Sequence, residues 1–169
     1  FNTPARAITL TDVQALKRER LIDIAFICVK SYDTAWATML VKDYLSPTGF
    51  CVSLQNCINE ETIANIVGWG RTTGCIAAKI AVELIGPGKI RRGVPLGGTK
   101  HTVFRAGEVH GRITPRIKEI EKLLSAVDRV STIANEKLPS IKFKLIENLI
   151  NLSSVNSENS TATEDIKAN

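Results

Sequence analysis

The sequence lacks most of the short patterns that announce a chemistry. It contains no C-x-x-C pair, no G-x-G-x-x-G, no P-loop and no nucleophile elbow around Ser53 or Thr102. Hydrolase chemistry therefore has no support. Histidines are scarce: His101 and His110 stand nine residues apart with no acidic partner at a fixed spacing, so no metal site is expected. Lys and Arg form no dense run, which argues against nucleic-acid binding even though the formal net charge is +5. No apolar stretch is long enough to span a membrane, and no signal-peptide pattern occurs. Four cysteines, Cys28, Cys51, Cys57 and Cys75, are too irregularly spaced for a disulfide framework. Cys28 and Cys51 fall in expected buried strands, as small hydrophobes. The pattern suits a reducing compartment, and the expected location is the cytoplasm.

What is present is a core. Hydrophobic residues make up 44% of the 169, enough for one domain and part of another. The run Ile24-Ala-Phe-Ile-Cys-Val29 is short, unbroken and rich in β-formers, which predicts a strand buried on both faces of a parallel sheet. Lys30 ends it. A helix over 34–45 follows, with Asp33 as its N-cap. Ala35, Trp36, Met39, Leu40 and Tyr44 are its expected inward set. Ser46–Gly49 stops that helix, and Phe50–Leu54 is the next strand, ending in Gln55-Asn56. Asn59 is expected to cap a helix over 60–67, with Glu60 and Glu61 facing its dipole.

A strand around Gly74–Ile80 comes next, then a turn at Gly86-Pro87-Gly88. Lys89–Arg92 and His101–Arg105 read as antiparallel partners across the glycine-rich loop Gly93–Gly98. Thr114 and Pro115 open a helix over 115–127, with Ile117, Ile120, Leu123, Leu124 and Val127 on one face. Val130–Ile133 is a last strand, and a helix over 140–152 follows Pro139. At the front, Ala7–Leu10 suggests an edge strand and Thr11–Lys17 a short helix. Residues 153–169 are polar and read as a disordered tail. The expected fold class is α/β: a partial Rossmann-type parallel sheet with the start of an α-helical C-terminal domain. The expected division is 1–133, 134–152 and the tail 153–169.

Parallel strands would bring Lys30 and Asn56 out on one sheet edge, where open α/β folds bind ligands. Each residue also has a plainer reading. Lys30 could be a solvated strand-end lysine and Asn56 a turn residue. In the last helix, Lys144 and Asn148 are spaced i, i+4 and share a face. They could hold a carbonyl oxygen and its neighbour, or be an ordinary solvated helix face.

Four stretches together carry a resemblance: Cys28-Val-Lys30-Ser-Tyr-Asp-Thr34, Ser53-Leu-Gln-Asn56-Cys-Ile-Asn-Glu60-Glu61, Gly74-Cys75 and Pro87-Gly88. Over about residues 20–150 the chain resembles the ketopantoate reductase (2-dehydropantoate 2-reductase) family. The resemblance implies NADPH-dependent reduction of a 2-keto acid to a 2-hydroxy acid, a step in pantothenate biosynthesis. It implies Lys30 and Asn56 at the cofactor, Lys144 as the catalytic proton donor and Asn148 at the substrate. The expected partner is a small-molecule 2-keto acid, with self-association into a homo-oligomer allowed, and with neither nucleic acid nor membrane. The chain departs from the family in several places, among them the helical domain that gives way to the polar tail from Ser153 and a downstream acidic residue with no counterpart. The glycine loop is absent and is expected upstream of Phe1, and Cys57 stands where the family has glycine. Lys142-Phe143 replaces the usual Trp or Arg before the lysine, and Asn151 is one position early. A truncated or degenerate non-catalytic member, or a partner-binding fragment, are the competing expectations.

Overall fold

The computed structural model describes residues 5–78, 80–93 and 102–132. Among them, the main sheet has five strands in the order β1 (Ile22–Ile27), β2 (Leu45–Leu54), β3 (Thr72–Ala77), β6 (Phe104–Glu108), β7 (Val130–Thr132). The pairs β1–β2, β2–β3 and β6–β7 are parallel, and β3–β6 is antiparallel. A separate hairpin joins β4 (Val82–Gly86) to β5 (Lys89–Arg92). Among the described residues four α-helices accompany the strands: α1 (Leu16–Glu19), α2 (Thr34–Lys42), α3 (Glu60–Val67) and α4 (Pro115–Ser125).

Two apolar clusters show why the strands read as they do. On one face, Ala25, Ile27 and Cys51 pack with Ala37 of α2 and Ile63 of α3. On the other, Phe50, Val52, Cys75 and Ala106 pack with Ile117, Ile120 and Leu124 of α4. The strand β2 contributes alternate residues to both, so it has no polar face to show. Each fully buried Val or Phe there stabilises the fold by about 1.5–3 kcal/mol.

The start of β2 is shaped by a glycine. A Cβ at Gly49 would lie 2.4 Å from the Ile22 carbonyl oxygen, where β1 and β2 shift register. Arg71 fastens this bend by donating to the carbonyls of Gly49 (2.6 Å) and Ser46 (2.7 Å). The segment Ser46–Gly49 is therefore part of the strand, and α2 ends earlier than its sequence suggests, at Lys42.

Several expectations need correction. The inward face of α2 is Thr34, Ala37 and Thr38, with Val41 beside them, while Trp36 (52% exposed) and Met39 (59%) point outward. Small residues let the helix lie close to the sheet, and bulky ones would hold it off. Cys28 lies beyond the end of β1 and is exposed. The strand β5 pairs with β4 through the Gly86–Gly88 turn, and β6 pairs with β3, so Lys89–Arg92 and 101–105 are not partners. Residues 7–10 form no strand. The helix expected over 115–127 ends at Ser125; Leu123 on it and Val127 beyond it are exposed, while Ile117, Ile120 and Leu124 are buried. The expected helix 140–152, with Lys144 and Asn148, and the tail from 153 lie outside the described residues. Among the described residues no helix is long and apolar enough to cross a membrane.

Candidate functional site

Lys30 and Asn56 leave the sheet at the same level. The last register pair of β1 and β2 is Ile27 with Ser53, and each residue lies three positions further on. Parallel neighbours run about 4.8 Å apart, so the two loops emerge side by side. Both side chains are exposed.

Uncharged hydrogen bonds stitch the two loops together. Gln55 is 8% exposed and its Nε2 donates to the Val29 carbonyl at 2.6 Å and to Thr34 Oγ1 at 2.9 Å. Its Oε1 accepts from Ser53 Oγ at 3.4 Å. Asn59 Nδ2 donates to Ser31 Oγ (3.2 Å) and to the Asn56 carbonyl (2.9 Å). Ser31 Oγ also reaches the Asn56 carbonyl at 3.5 Å. Asn59 does occupy the N-cap of α3, but its side chain makes no cap bond and is committed to this cross-link instead.

Between them, Cys57 adopts φ +72°, among the described residues the one non-glycine in the left-handed region. A side chain there costs about 1–2 kcal/mol. The backbone turn is thus the one a glycine would make most easily.

Glu60, the first residue of α3, leans against the sheet. A Cβ at Gly74 would lie 3.0 Å from Glu60 Oε1, so the absence of a side chain at 74 makes room for the carboxyl. Burial raises the Glu60 pKa, partly offset by bonds from its own and Asn59's backbone. Burial also pushes Cys75 up to about 12 and Cys51 to about 11, so both are inert thiols.

The opposite end of the sheet is built from charges. Glu108 accepts two bonds from Arg116, Nε to Oε1 at 2.6 Å and Nη2 to Oε2 at 2.5 Å, and one from Thr114 Oγ1 at 2.5 Å. Arg116 also donates to the carbonyls of Gly70 and Thr72 and lies 5.3 Å from the centre of the Phe50 ring. Thr114, whose hydroxyl also caps α4 at Ile117 N, belongs to both the helix start and this cluster. His110 Nε2 is 3.9 Å from Glu108 Oε2. Among the described residues no group of acids, histidines and cysteines could hold a metal.

The sequence reading named Lys30 and Asn56 and missed the residues that fix them. Gln55, Ser31 and Asn59 carried a signal as polar side chains clustered just past two strand ends, although Asn59 also reads as the N-cap of the next helix. Lys144 and Asn148 lie outside the described residues.

A mostly parallel sheet, helices on both faces and loops meeting beyond the carboxyl ends of adjacent strands define a Rossmann-type α/β protein. Residues 2–104 match a family model described as ketopantoate reductase PanE/ApbA. That is more than half of the chain, and the chain belongs to this family. Residues 115–169 match a second model, described as the C-terminal domain of the beta subunit of DNA polymerase III. In the structure, though, α4 and β7 close the same sheet and core as β1–β3. A search of curated proteins finds no match.

Solved structures share the fold. A 2-dehydropantoate 2-reductase from Geobacter metallireducens GS-15 is 22% identical with a TM-score of 0.57, over 69% of this chain and 37% of that one. A PanE/ApbA family ketopantoate reductase from Ralstonia eutropha JMP134 is 23% identical with a TM-score of 0.52, over 72% and 36%. A dimeric ketopantoate reductase from Staphylococcus aureus is 16% identical with a TM-score of 0.53, over 77% and 43%. The chain thus spans well under half the length of each.

Proposed function

We propose that this chain carries the nicotinamide side of an NADPH-dependent reductase acting on a 2-keto acid of the 2-dehydropantoate type. The observation that carries the reading is the side-by-side exit of Lys30 and Asn56 from adjacent parallel strands, with their loops bonded to each other. The Lys30 side chain makes no hydrogen bond or ion pair with the described residues, so its ammonium is available to a ligand. An exposed ammonium and a neighbouring carboxamide fit the amide and ribose end of a nicotinamide nucleotide. The fit extends to that half only, because no glycine loop for the pyrophosphate occurs in the sequence.

When bound, NADPH supplies the hydride to the keto carbon. In this reading Lys30 and Asn56 orient the nicotinamide, Lys144 gives a proton to the carbonyl oxygen as it becomes a hydroxyl, and Asn148 holds the substrate. The setting would be the cytoplasm and pantothenate biosynthesis, and self-association follows the dimeric relative. Titrating the chain with NADPH while following nicotinamide fluorescence tests this. A saturable change is expected, and a linear response would overturn it. The second reading, a degenerate member without catalysis, is favoured by one observation: the strained Cys57 turn where the family resemblance places glycine.

A further inference from the structure

We propose that Gln55 is the positioning residue of this edge: it sets the Lys30 and Asn56 loops against each other and so fixes the spacing of the pair. The proposal rests on the nicotinamide reading for its purpose, and on geometry alone for its mechanism.

Gln55 directly precedes Asn56, and its carboxamide reaches both ends of the other loop. One acceptor, the Val29 carbonyl, directly precedes Lys30. The other, Thr34 Oγ1, belongs to the first residue of α2. A single side chain therefore brackets the whole turn from Val29 to Thr34. Its orientation is also unique. The Val29 carbonyl has no proton, so flipping the amide would set oxygen against oxygen at 2.6 Å. Ser53 Oγ, which is buried, supports the remaining Oε1. The bonds to Thr34 and Ser53 are buried and the one to Val29 partly so, which limits competition from water for the same groups. Asn59 and Ser31 add a second tie, Asn59 Nδ2 to the Asn56 carbonyl at 2.9 Å and to Ser31 Oγ at 3.2 Å, but neither reaches Val29 or Thr34, so only Gln55 spans the whole Lys30 loop.

The test uses Gln55→Met, which keeps the length and removes every hydrogen bond, and the pair Thr34→Val and Thr34→Ser, which remove and keep the acceptor hydroxyl. Amide resonances of the isotope-labelled chain are followed by NMR, with NADPH titration alongside. Gln55→Met and Thr34→Val are expected to shift or broaden Lys30, Ser31 and Asn56, leaving Ala106 and Gly107 in place. Thr34→Val is expected to weaken NADPH binding about tenfold, the size of one lost buried hydrogen bond, and Gln55→Met, which loses three, by more. Thr34→Ser should restore what Thr34→Val loses. Unchanged Lys30 and Asn56 resonances in both disruptive variants overturn the proposal. If Gln55→Met does not fold, the Thr34 pair decides. If the wild-type chain shows no saturable NADPH signal, the nicotinamide reading fails, and the resonances still decide the role of Gln55.

Discussion

The two ends of the sheet solve the same problem differently. At the amino end of β3, a buried carboxylate is gripped by a forked guanidinium and a hydroxyl, and the arginine goes on to two backbone carbonyls and a ring. At the carboxyl end of β1 and β2, neutral amides and hydroxyls hold the loops, and one ammonium is left facing solvent. Charge is spent internally at one end and kept free at the other. That division separates the part of the molecule that holds the layers together from the part that can meet a ligand.

The largest expected effect lies at the charged end. Arg116→Met leaves Glu108, 2% exposed, without its cation, and a buried uncompensated charge costs about 3–5 kcal/mol. Urea unfolding checks this, and a loss below about 1 kcal/mol would mean that the ion pair is not the clamp.

A pH scan separates the ends next. Burial alone would raise the Glu108 pKa, but bonds from Arg116 and Thr114 and the charge of Arg116 outweigh it, and the net shift is downward from 4.5. A depressed folded pKa contributes stability that is full above the ordinary value and lost as pH falls through the folded one. The chain is therefore expected to lose stability on acidification below about pH 4.5. Glu108→Gln, less stable at neutrality, should show a flatter acid limb, and parallel curves would remove Glu108 as the cause.

Smaller still is Cys57→Gly. Relief of the left-handed strain, about 1–2 kcal/mol, is opposed by the extra freedom of glycine in the unfolded chain, about 0.5–1 kcal/mol. A net gain of up to about 1 kcal/mol is expected from thermal unfolding. A loss would show that the thiol has contacts worth more than the turn.

The smallest stability effect is expected at Lys30. Lys30→Met should change stability by no more than about 0.5 kcal/mol, because the side chain is exposed and unpaired among the described residues. NADPH affinity should nonetheless fall. Equal losses in stability and affinity would erase the distinction between the two ends.

Much of this was legible in advance where local chemistry decides structure. Thr114-Pro115 marked the start of α4, and the helix expected over 60–67 is α3, Glu60–Val67. The apolar run before Lys30 located β1 to within two residues. Errors arose where tertiary packing chose between options that periodicity leaves equal. Trp36 and Met39 fit a helical stripe as well as Ala37 and Val41 do, and only the closeness of the sheet selects the small set. The pairing of β5 with β4 was set by a nearby turn, which closes faster and at lower entropic cost than a long glycine loop. Lys30 and Asn56 were visible because strand ends are. Gln55 stood beside Asn56 at the same strand end, but its bonding role was not legible, since its partners Val29 and Thr34 come from a different strand's loop.

The alternation along β1 has a further reach. Ala25 and Ile27 face one layer, Ile24 and Phe26 the other, and among the described residues β1 pairs on one side only, with β2. Any strand that lies along its outer side inherits that frame, because a slip of one residue would exchange every side chain between the layers. The edge therefore works as a ruler, admitting a neighbour by alignment before any side chain of that neighbour is read.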